Sequence, residues 1–357
     1  MNYQKFKEHF AQDVQKLLVK NGIEDMKVSC QYMEKVNNES YDALLVQHVE
    51  GTIGTNFNLR NYYRSIEEGA SYENVVKVAA VDAVKSVLEV PVFDMDMIKD
   101  YEQAKKRLSI EVISAEKNAD ILAKVPHKTL EDMAIVYRIN VDLEGQDRGT
   151  VLVNKGLLDV YGITPEQLHK DAIRNAAIIK PMVISDMNKM IGALMEAEEI
   201  DYWDSEDMSP DGYLYVATVS DNHKGAGVLA YDHFFDYATQ IMGGDFYVIP
   251  SSIHEIILVK DDGHTDYREL EQMVKTINAT EVRPEDRLTD SVYHYDSKNK
   301  IFELGKKYAR RRLQEKFVER EEKQSVLNEL KEKQASIKIS VGPKGEVSFK
   351  DRGGEAL

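Results

Sequence analysis

Hydrophobic residues recur along this chain with two repeat lengths, and these predict which segments form helices and which form strands. From Tyr3 to Val19 they recur every three or four residues, as in an amphipathic helix. Met26 to Tyr32 and Ala134 to Asp142 alternate apolar and polar positions, which is typical of half-buried strands. A loose recurrence of strand, strand and helix favours an α+β fold with a mixed, mainly antiparallel sheet and flanking helices.

Capping and turn residues place the remaining elements. Thr164 as N-cap, Pro165 in the first turn and Gln167 at the reciprocal capping position predict a helix that ends near Ile179. Further helices are predicted at residues 71–90, 97–108, 156–161, 182–195, 228–242, 267–278 and 301–334. Further strands are predicted at residues 41–49, 150–154, 213–220, 246–249, 256–259 and, as an edge strand, 292–295. Residues 111–123 fit either a strand or a short helix.

The order of these elements predicts four parts. An N-terminal α+β module covers residues 1–95, and a core α+β domain covers residues 96–300. A long, highly charged helix follows at 301–335, and a tail occupies 336–357.

Composition and charge favour a folded protein of the cytoplasm. The 357 residues are 43% hydrophobic and 30% charged, which is ordinary for a globular protein. The 46 Lys and Arg against 62 Asp and Glu give a net charge of -16, which repels nucleic acid and anionic lipid over most of the surface. The single cysteine, Cys30, fits a reducing compartment. Neither an export signal nor an apolar stretch of about 18 residues is visible, so no membrane contact is expected.

The strongest candidate chemistry lies where two apolar runs, Phe246 to Ile249 and Ile256 to Val259, meet at a Pro-Ser-Ser corner. The candidate catalytic residues there are Ser251, Ser252, His254 and Glu255. A Ser/His/Glu hydrolase is one hypothesis, but in an extended segment Glu255 points away from His254, so a distant acid such as Asp245 or Asp290 is needed. The favoured alternative is structural, with the serines bonding the turn and His254 and Glu255 anchoring a neighbouring loop.

The last predicted helix is locally basic on an acidic chain. Between Lys306 and Lys333 it has ten Lys and Arg against six Asp and Glu. Its candidate binding residues are Lys306, Lys307, Arg310, Arg311 and Arg312. RNA, an acidic partner and the protein's own acidic surface all suit such a cluster, but Tyr308 alone offers too little aromatic surface to stack bases. Contact with another protein is therefore favoured, with nucleic acid bound at most weakly.

No cofactor or metal is predicted. The histidines are scattered, and the acidic run at 196–207 lacks the glycine and spacing of a calcium loop. The turn from His223 to Gly227 offers amides to an anion, but it lacks the ending of a phosphate-binding loop and the third glycine of a dinucleotide site. A flexible connection is expected there.

Several segments together resemble a known family. They are Val151-Leu152-Val153-Asn154, Tyr161-Gly162-Ile163-Thr164 with the helix through Ala172 and Asn175, Phe246 to Glu255, Ile277-Asn278-Ala279-Thr280, and Asp290 to Tyr295. The chain resembles, over about residues 5 to 300, a domain-of-unknown-function family of intracellular proteins from gut-dwelling Gram-positive bacteria and their mobile elements. The resemblance marks Asn154 and Asn175 as candidate binding residues. Thr218-Val219-Ser220-Asp221-Asn222 departs from the family pattern, in which Thr-Asn follows that strand.

These observations favour a non-catalytic, cytoplasmic binding or regulatory accessory protein that contacts another protein through its C-terminal helix. The alternative is a small hydrolase or phosphate-ester-binding enzyme that uses the Ser/His/Glu cluster at 251–255.

Overall fold

A computed structural model describes residues 1–36, 40–49, 54–88, 96–142, 148–197 and 212–340. Its contacts group the chain into two units, Met1–Gly305 and Lys306–Leu357. The helices are α1 (Tyr3–Lys20), α2 (Leu59–Glu67), α3 (Tyr72–Leu88), α4 (Asp96–Lys99), α5 (Tyr101–Lys105), α6 (Ala119–Leu122), α7 (Lys155–Tyr161), α8 (Pro165–Ile179), α9 (Met187–Ala197), α10 (Phe234–Met242), α11 (Tyr267–Thr280) and α12 (Gly305–Ser340).

The strands form three sheets. They are β1 (Met26–Met33), β2 (Tyr41–His48), β3 (Gly54–Asn58), β4 (Leu108–Ser114), β5 (His127–Leu130), β6 (Met133–Asp142), β7 (Arg148–Leu152), β8 (Met182–Asp186), β9 (Leu214–Val219), β10 (Phe246–Ile249), β11 (Ile256–Lys260), β12 (Tyr293–Asp296) and β13 (Ile301–Leu304). The three-stranded sheet has the order β1-β2-β3, and the six-stranded sheet has the order β13-β12-β10-β11-β9-β8. In the four-stranded sheet, β6 pairs with β4, β5 and β7. All of these pairings are antiparallel, so the predicted α+β class is confirmed.

The N-terminal residues have a hydrophobic core of their own. Helix α1 buries Phe6, Phe10 and Val14 on the face that the sequence period predicts, and these pack with residues of β1, β2, α2 and α3. The Phe6 and Phe10 rings lie 4.3 Å apart between centroids. We call residues 1–88 the N-terminal module.

The main core lies between the four-stranded and six-stranded sheets. Apolar residues of β4 and β6 face it at every second position, and helix α8 covers it with Leu168, Ala172 and Ala176. The predicted start of α8 is confirmed, since Thr164 Oγ1 accepts a hydrogen bond from the Gln167 amide at 3.2 Å. We call residues 96–305 the core domain.

Five predicted elements were wrong in part. Residues 182–186 are strand and not helix, because Met182 and Ile184 pack on the main core as β8 pairs with β9. Residues 97–108 form two short helices before β4 begins. A 3-10 helix, Gly225–Ala230, precedes the shorter α10. Strand β12 is interior and not an edge, because residues 301–304 pair beside it. Those residues, predicted as the start of the long helix, form β13, and α12 begins at Gly305.

Helix α12, the long charged helix, is confirmed and forms most of the second unit. Its large apolar side chains that are exposed to solvent are Leu313, Phe317, Val318, Val326, Leu327 and Leu330. In the described part of the chain, no helix is long and apolar enough to cross a membrane. The acidic run beyond residue 197 and the tail beyond residue 340 lie outside the described residues.

Candidate functional site

One face of the four-stranded sheet changes from apolar to polar along its strands. Ile113, Val136 and Leu152 occupy the apolar end, where they pack in a small separate cluster. Two residues further along the same strands, on the same face, lie Glu111, Arg138 and Thr150. This polar end carries the candidate site.

Glu111 lies at the centre of a buried ion cluster, which we define as Glu111, Arg138 and Lys224. Only 2% of Glu111 is exposed, and its carboxylate pairs with the Arg138 guanidinium and, at 3.1 Å, with the Lys224 ammonium. Burial alone raises the pKa of Glu111, but the charges of Arg138 and Lys224 outweigh it and hold that pKa below its ordinary value. The cluster is therefore charged, with two cations around one carboxylate.

Lys224 enters the cluster from a tightly packed turn. Its backbone is left-handed, with φ of 58°, which is uncommon for a residue with a side chain. The next residue, Gly225, lies so close to Thr218 Oγ1 and the His254 carbonyl that a Cβ has no room there. Residues 225–229 are buried, and Ala226, Val228 and Leu229 belong to the main core, so the connection expected here is packed into the fold. Packing fixes the turn and directs Lys224 toward Glu111.

His254 ties this turn to two other segments. Its Nδ1 accepts the backbone N–H of Lys224 at 3.2 Å, and its Nε2 lies 3.2 Å from Asp286 Oδ1. Its carbonyl accepts a hydrogen bond from Thr218 Oγ1 at 2.8 Å. Because Nδ1 accepts a bond, the proton of the neutral ring lies on Nε2, where it bonds Asp286.

The contacts of the Pro-Ser-Ser corner differ from those of a catalytic relay. Ser252 Oγ accepts the backbone N–H of His254 at 3.0 Å, and the Ser252 amide donates to the Glu255 carbonyl at 3.3 Å. Both ring nitrogens of His254 have partners other than a serine hydroxyl. The acid at His254 is Asp286, whereas Asp245 bonds Ser297 and Asp290 bonds Asn278. These contacts suit an anchor better than a nucleophile with its base.

The ion cluster forms one wall of a cleft of about 630 Å³. From the N-terminal module, residues 33–36 line it. From the core domain, Lys124, Asn154, Glu285 and Asp286 line it together with the cluster. Lys124 Nζ donates to Glu34 Oε1 at 2.6 Å. The cleft therefore lies where the two parts of the first unit meet.

A second cavity, of about 750 Å³, adjoins this cleft. Its titratable lining side chains are Lys106, Arg107, Lys180, Asp221 and His223. Thr150 lines both spaces and accepts a hydrogen bond from Arg138 Nη1 at 3.2 Å. The cavity and the cleft thus meet at the polar end of the sheet.

The two asparagines that the resemblance marked have different surroundings. Asn154 caps α7 by accepting the Leu157 amide at 2.9 Å, and it also lines the cleft. Asn175 donates from Nδ2 to the carbonyls of Lys106 and Leu108 at 3.0 and 2.8 Å, which fastens α8 to β4. Asn154 belongs to the candidate site, and Asn175 supports it from behind.

The basic residues of α12 lie in the second unit and are described by themselves. Arg311 and Arg312 pair with Glu315 at 2.9 and 3.2 Å, and the Arg311 guanidinium lies 5.6 Å from the centroid of the Tyr308 ring. Lys306, Lys307 and Arg310 belong to the same stretch of the helix.

The sequence reasoning missed Glu111, Arg138, Lys224 and Asp286. One signal was present: Glu111 and Arg138 are charged residues inside otherwise apolar strands, where an unpaired charge is costly. Amides of the 223–227 turn bond within the protein, since Lys224 donates to His254 Nδ1 and Ala226 donates to the Ile253 carbonyl, both at 3.2 Å. The Lys224 side chain is the part that reaches the cleft.

His223 makes the stability of the fold depend on pH. Burial lowers its pKa, and Lys224, Lys180 and His254 lower it further against the opposing charge of Asp221. The unfolded chain then binds this proton more readily than the folded chain, so stability falls as the pH drops below about 6.5. Between about pH 7.5 and about pH 5.5, we expect the wild type to lose more unfolding free energy than His223→Gln does. Urea unfolding at each pH measures this, and equal losses contradict it.

The fold and site together define an antiparallel α+β protein with a buried ion cluster beside a cleft. The chain belongs to the family of unknown function (DUF5688), whose profile matches residues 3–297, so the resemblance to a domain-of-unknown-function family is confirmed. Neither a curated protein nor a solved structure matches the chain. Among the described residues, no group of three or more His, Cys, Asp or Glu side chains is arranged to hold a metal ion.

Proposed function

We propose that this protein is a non-catalytic binding protein with an accessory or regulatory role in the cytoplasm, and that the cleft between its N-terminal module and core domain is its ligand site. The observation that carries this proposal is the ion cluster in the wall of that cleft. Two cations surround one carboxylate in a buried position, and one cation is on a backbone conformation that few side chains adopt. Buried charge and local strain both cost stability, and proteins concentrate them at functional sites.

The position of the cleft supports a regulatory role. A ligand there touches residues 33–36 of the N-terminal module and the ion cluster of the core domain at once. Binding energy is then shared by both parts, so the ligand stabilises their arrangement relative to states in which they separate.

The test is capture of small molecules by the full chain from a native lysate. Bound molecules are released by denaturation and identified by mass spectrometry for the wild type and for Lys224→Met. This variant leaves Glu111 paired with Arg138, so the remaining charges balance. Lys300→Met is the matched control. Lys300 also has a left-handed backbone and pairs with a carboxylate, but it is exposed and lines neither the cleft nor the second cavity.

We expect a molecule that the wild type and Lys300→Met retain and that Lys224→Met loses. If the wild type and both variants retain the same molecules, or if none of the three proteins retains any molecule, the proposal is contradicted.

A second candidate function is contact with another protein through α12. The observation that favours it is the group of exposed apolar side chains, which includes Leu313 and Phe317, beside the basic residues at 306–312. In a pull-down with the full chain as bait, we expect Leu313→Ser with Phe317→Ser to lose the partner that the wild type binds. Tyr237→Ser, which alters an exposed aromatic residue of the first unit, is the control. Deleting residues 306–357 without losing that partner would count against this candidate.

A further inference from the structure

The polar end of the sheet borders both the cleft and the second cavity, whose linings share Thr150. Arg138 and Asn140 are on the same face of β6, two residues apart. Asn140 pairs with Thr150 across β6 and β7 and lines the second cavity, whereas Arg138 lines the cleft. A ligand that spans both spaces therefore lies against this face of the sheet and meets both sets of side chains.

The second cavity is rich in positive charge on an acidic chain. Three cationic side chains, Lys106, Arg107 and Lys180, line it with one acid, Asp221, while the whole chain has a net charge of -16. Lys180 pairs with Asp221 at 3.1 Å, and Lys106 is exposed toward solvent. Local positive charge of this kind concentrates anions from solution.

The cleft has acids as well as bases, and each acid described above has a partner. Glu34 pairs with Lys124, and Asp286 contacts both His254 and Arg283. Glu285 also lines the cleft. The ion cluster keeps two cations for one carboxylate, so the wall beside Arg138 and Lys224 is the part of the cleft that favours an anion.

One turn carries charged groups into both spaces. Asp221 and His223 line the second cavity, and Lys224 lines the cleft. Lys180 Nζ donates to the His223 carbonyl at 3.0 Å, so it supports this turn from the side of the second cavity. Burial lowers the pKa of Lys224; Glu111 opposes this, and Arg138 and Lys180 lower the pKa further. Cations on the two sides therefore act on one another, and an anion between them relieves their repulsion.

We infer that the ligand is an elongated organic anion with a phosphate or carboxylate group at each end, one beside Arg138 and Lys224 and the other among Lys106, Arg107 and Lys180. This inference rests on the proposed function and names the chemistry of its ligand. A guanidinium and an ammonium side by side bind either kind of group, and the neutral side chains of Asn140 and Thr150 suit the polar middle of such a molecule. Volumes of about 630 and 750 Å³ exceed what a single phosphate or carboxylate fills.

The test compares molecules charged at both ends with partners charged at one end. Isothermal titration calorimetry of the full chain at fixed ionic strength measures the affinity of each probe. Butanedioate, hexanedioate and octanedioate are compared with octanoate, and hexanediol bisphosphate is compared with hexyl phosphate. These arms also distinguish carboxylate from phosphate. We expect a doubly charged probe to bind about tenfold or more tightly than its singly charged partner, since it makes a second charge-assisted contact.

Two variants locate the ends. Lys106→Gln alters an exposed side chain of the second cavity, and Lys224→Met alters the cleft. Each variant is expected to bind the doubly charged probe with no more affinity than the singly charged one. Lys300→Met should leave every affinity unchanged. Equal affinities of doubly and singly charged probes for the wild type, or no effect of Lys106→Gln, would overturn the inference. A Lys224-dependent molecule captured from lysate would then still support the proposed function, so the two failures are distinguishable.

Discussion

Replacing Glu111 by glutamine is expected to lower the free energy of unfolding by about 3 kcal/mol, because it leaves two buried cations without their carboxylate. The glutamine amide has nearly the same shape and keeps an oxygen that accepts hydrogen bonds, so the loss reports charge and not packing. Only 14% of the Arg138 side chain and 18% of the Lys224 side chain are exposed, so water does little to replace the lost partner. Urea unfolding of the full chain measures the change through its midpoint.

Glu34→Gln is the matched control for this variant. Glu34 lines the same cleft and is also paired with a lysine, but 39% of its side chain is exposed. An exposed ion pair contributes about 1 kcal/mol or less, so this change should be small. Combining Glu111→Leu, Arg138→Met and Lys224→Met removes all three charges and is expected to recover stability. A Glu111→Gln loss no larger than that of Glu34→Gln would refute the ion cluster as described.

Replacing Gly225 by alanine is expected to destabilise the fold by about 3 kcal/mol, because the new methyl group overlaps atoms that cannot move away. It would lie within contact of Thr218 Oγ1 and the His254 carbonyl, and 2.9 Å from the Val219 nitrogen. Two of these three atoms are backbone. Removing the hydroxyl with Thr218→Ala should therefore restore little of the loss, which thermal or urea unfolding of the double variant checks.

Gly192→Ala is the control glycine. It lies within α9, and a Cβ there meets nothing within 4 Å. Alanine in a helix is favoured over glycine by about 0.5–1 kcal/mol, so this variant should be slightly more stable. Equal changes in the free energy of unfolding for Gly225→Ala and Gly192→Ala would contradict the close packing of the 223–227 turn.

The sequence predicted elements best where the pattern is local. The N-cap of Thr164, the amphipathic face of α1 and the β6–β7 hairpin all follow from residues close together in the chain. Strand β8 was mistaken for helix because its apolar positions also fit a helical period, and only pairing with β9 decides between the two.

The candidate site was predicted less well, because its parts come from distant strands and turns. His254 was predicted as a candidate from the residues next to it in the sequence. The carboxylate that contacts its ring belongs to Asp286, 32 residues further on, and no local pattern in the sequence connects the two. Lys224 and Glu111 are much farther apart in the chain, and they meet where the turn at Gly225 packs closely against Thr218. Single-sequence patterns describe the faces of elements, whereas a site depends on which faces the tertiary fold brings together.

The measurement that tests the central claim most directly is amide hydrogen exchange of the full chain, with and without the small-molecule fraction of a native lysate. If the cleft is the ligand site, exchange should slow on both of its sides, in peptides covering residues 33–36 and 221–227, and Lys224→Met should abolish the effect. Unchanged exchange at both places, or slowing confined to residues beyond 305, would contradict the cleft as the ligand site.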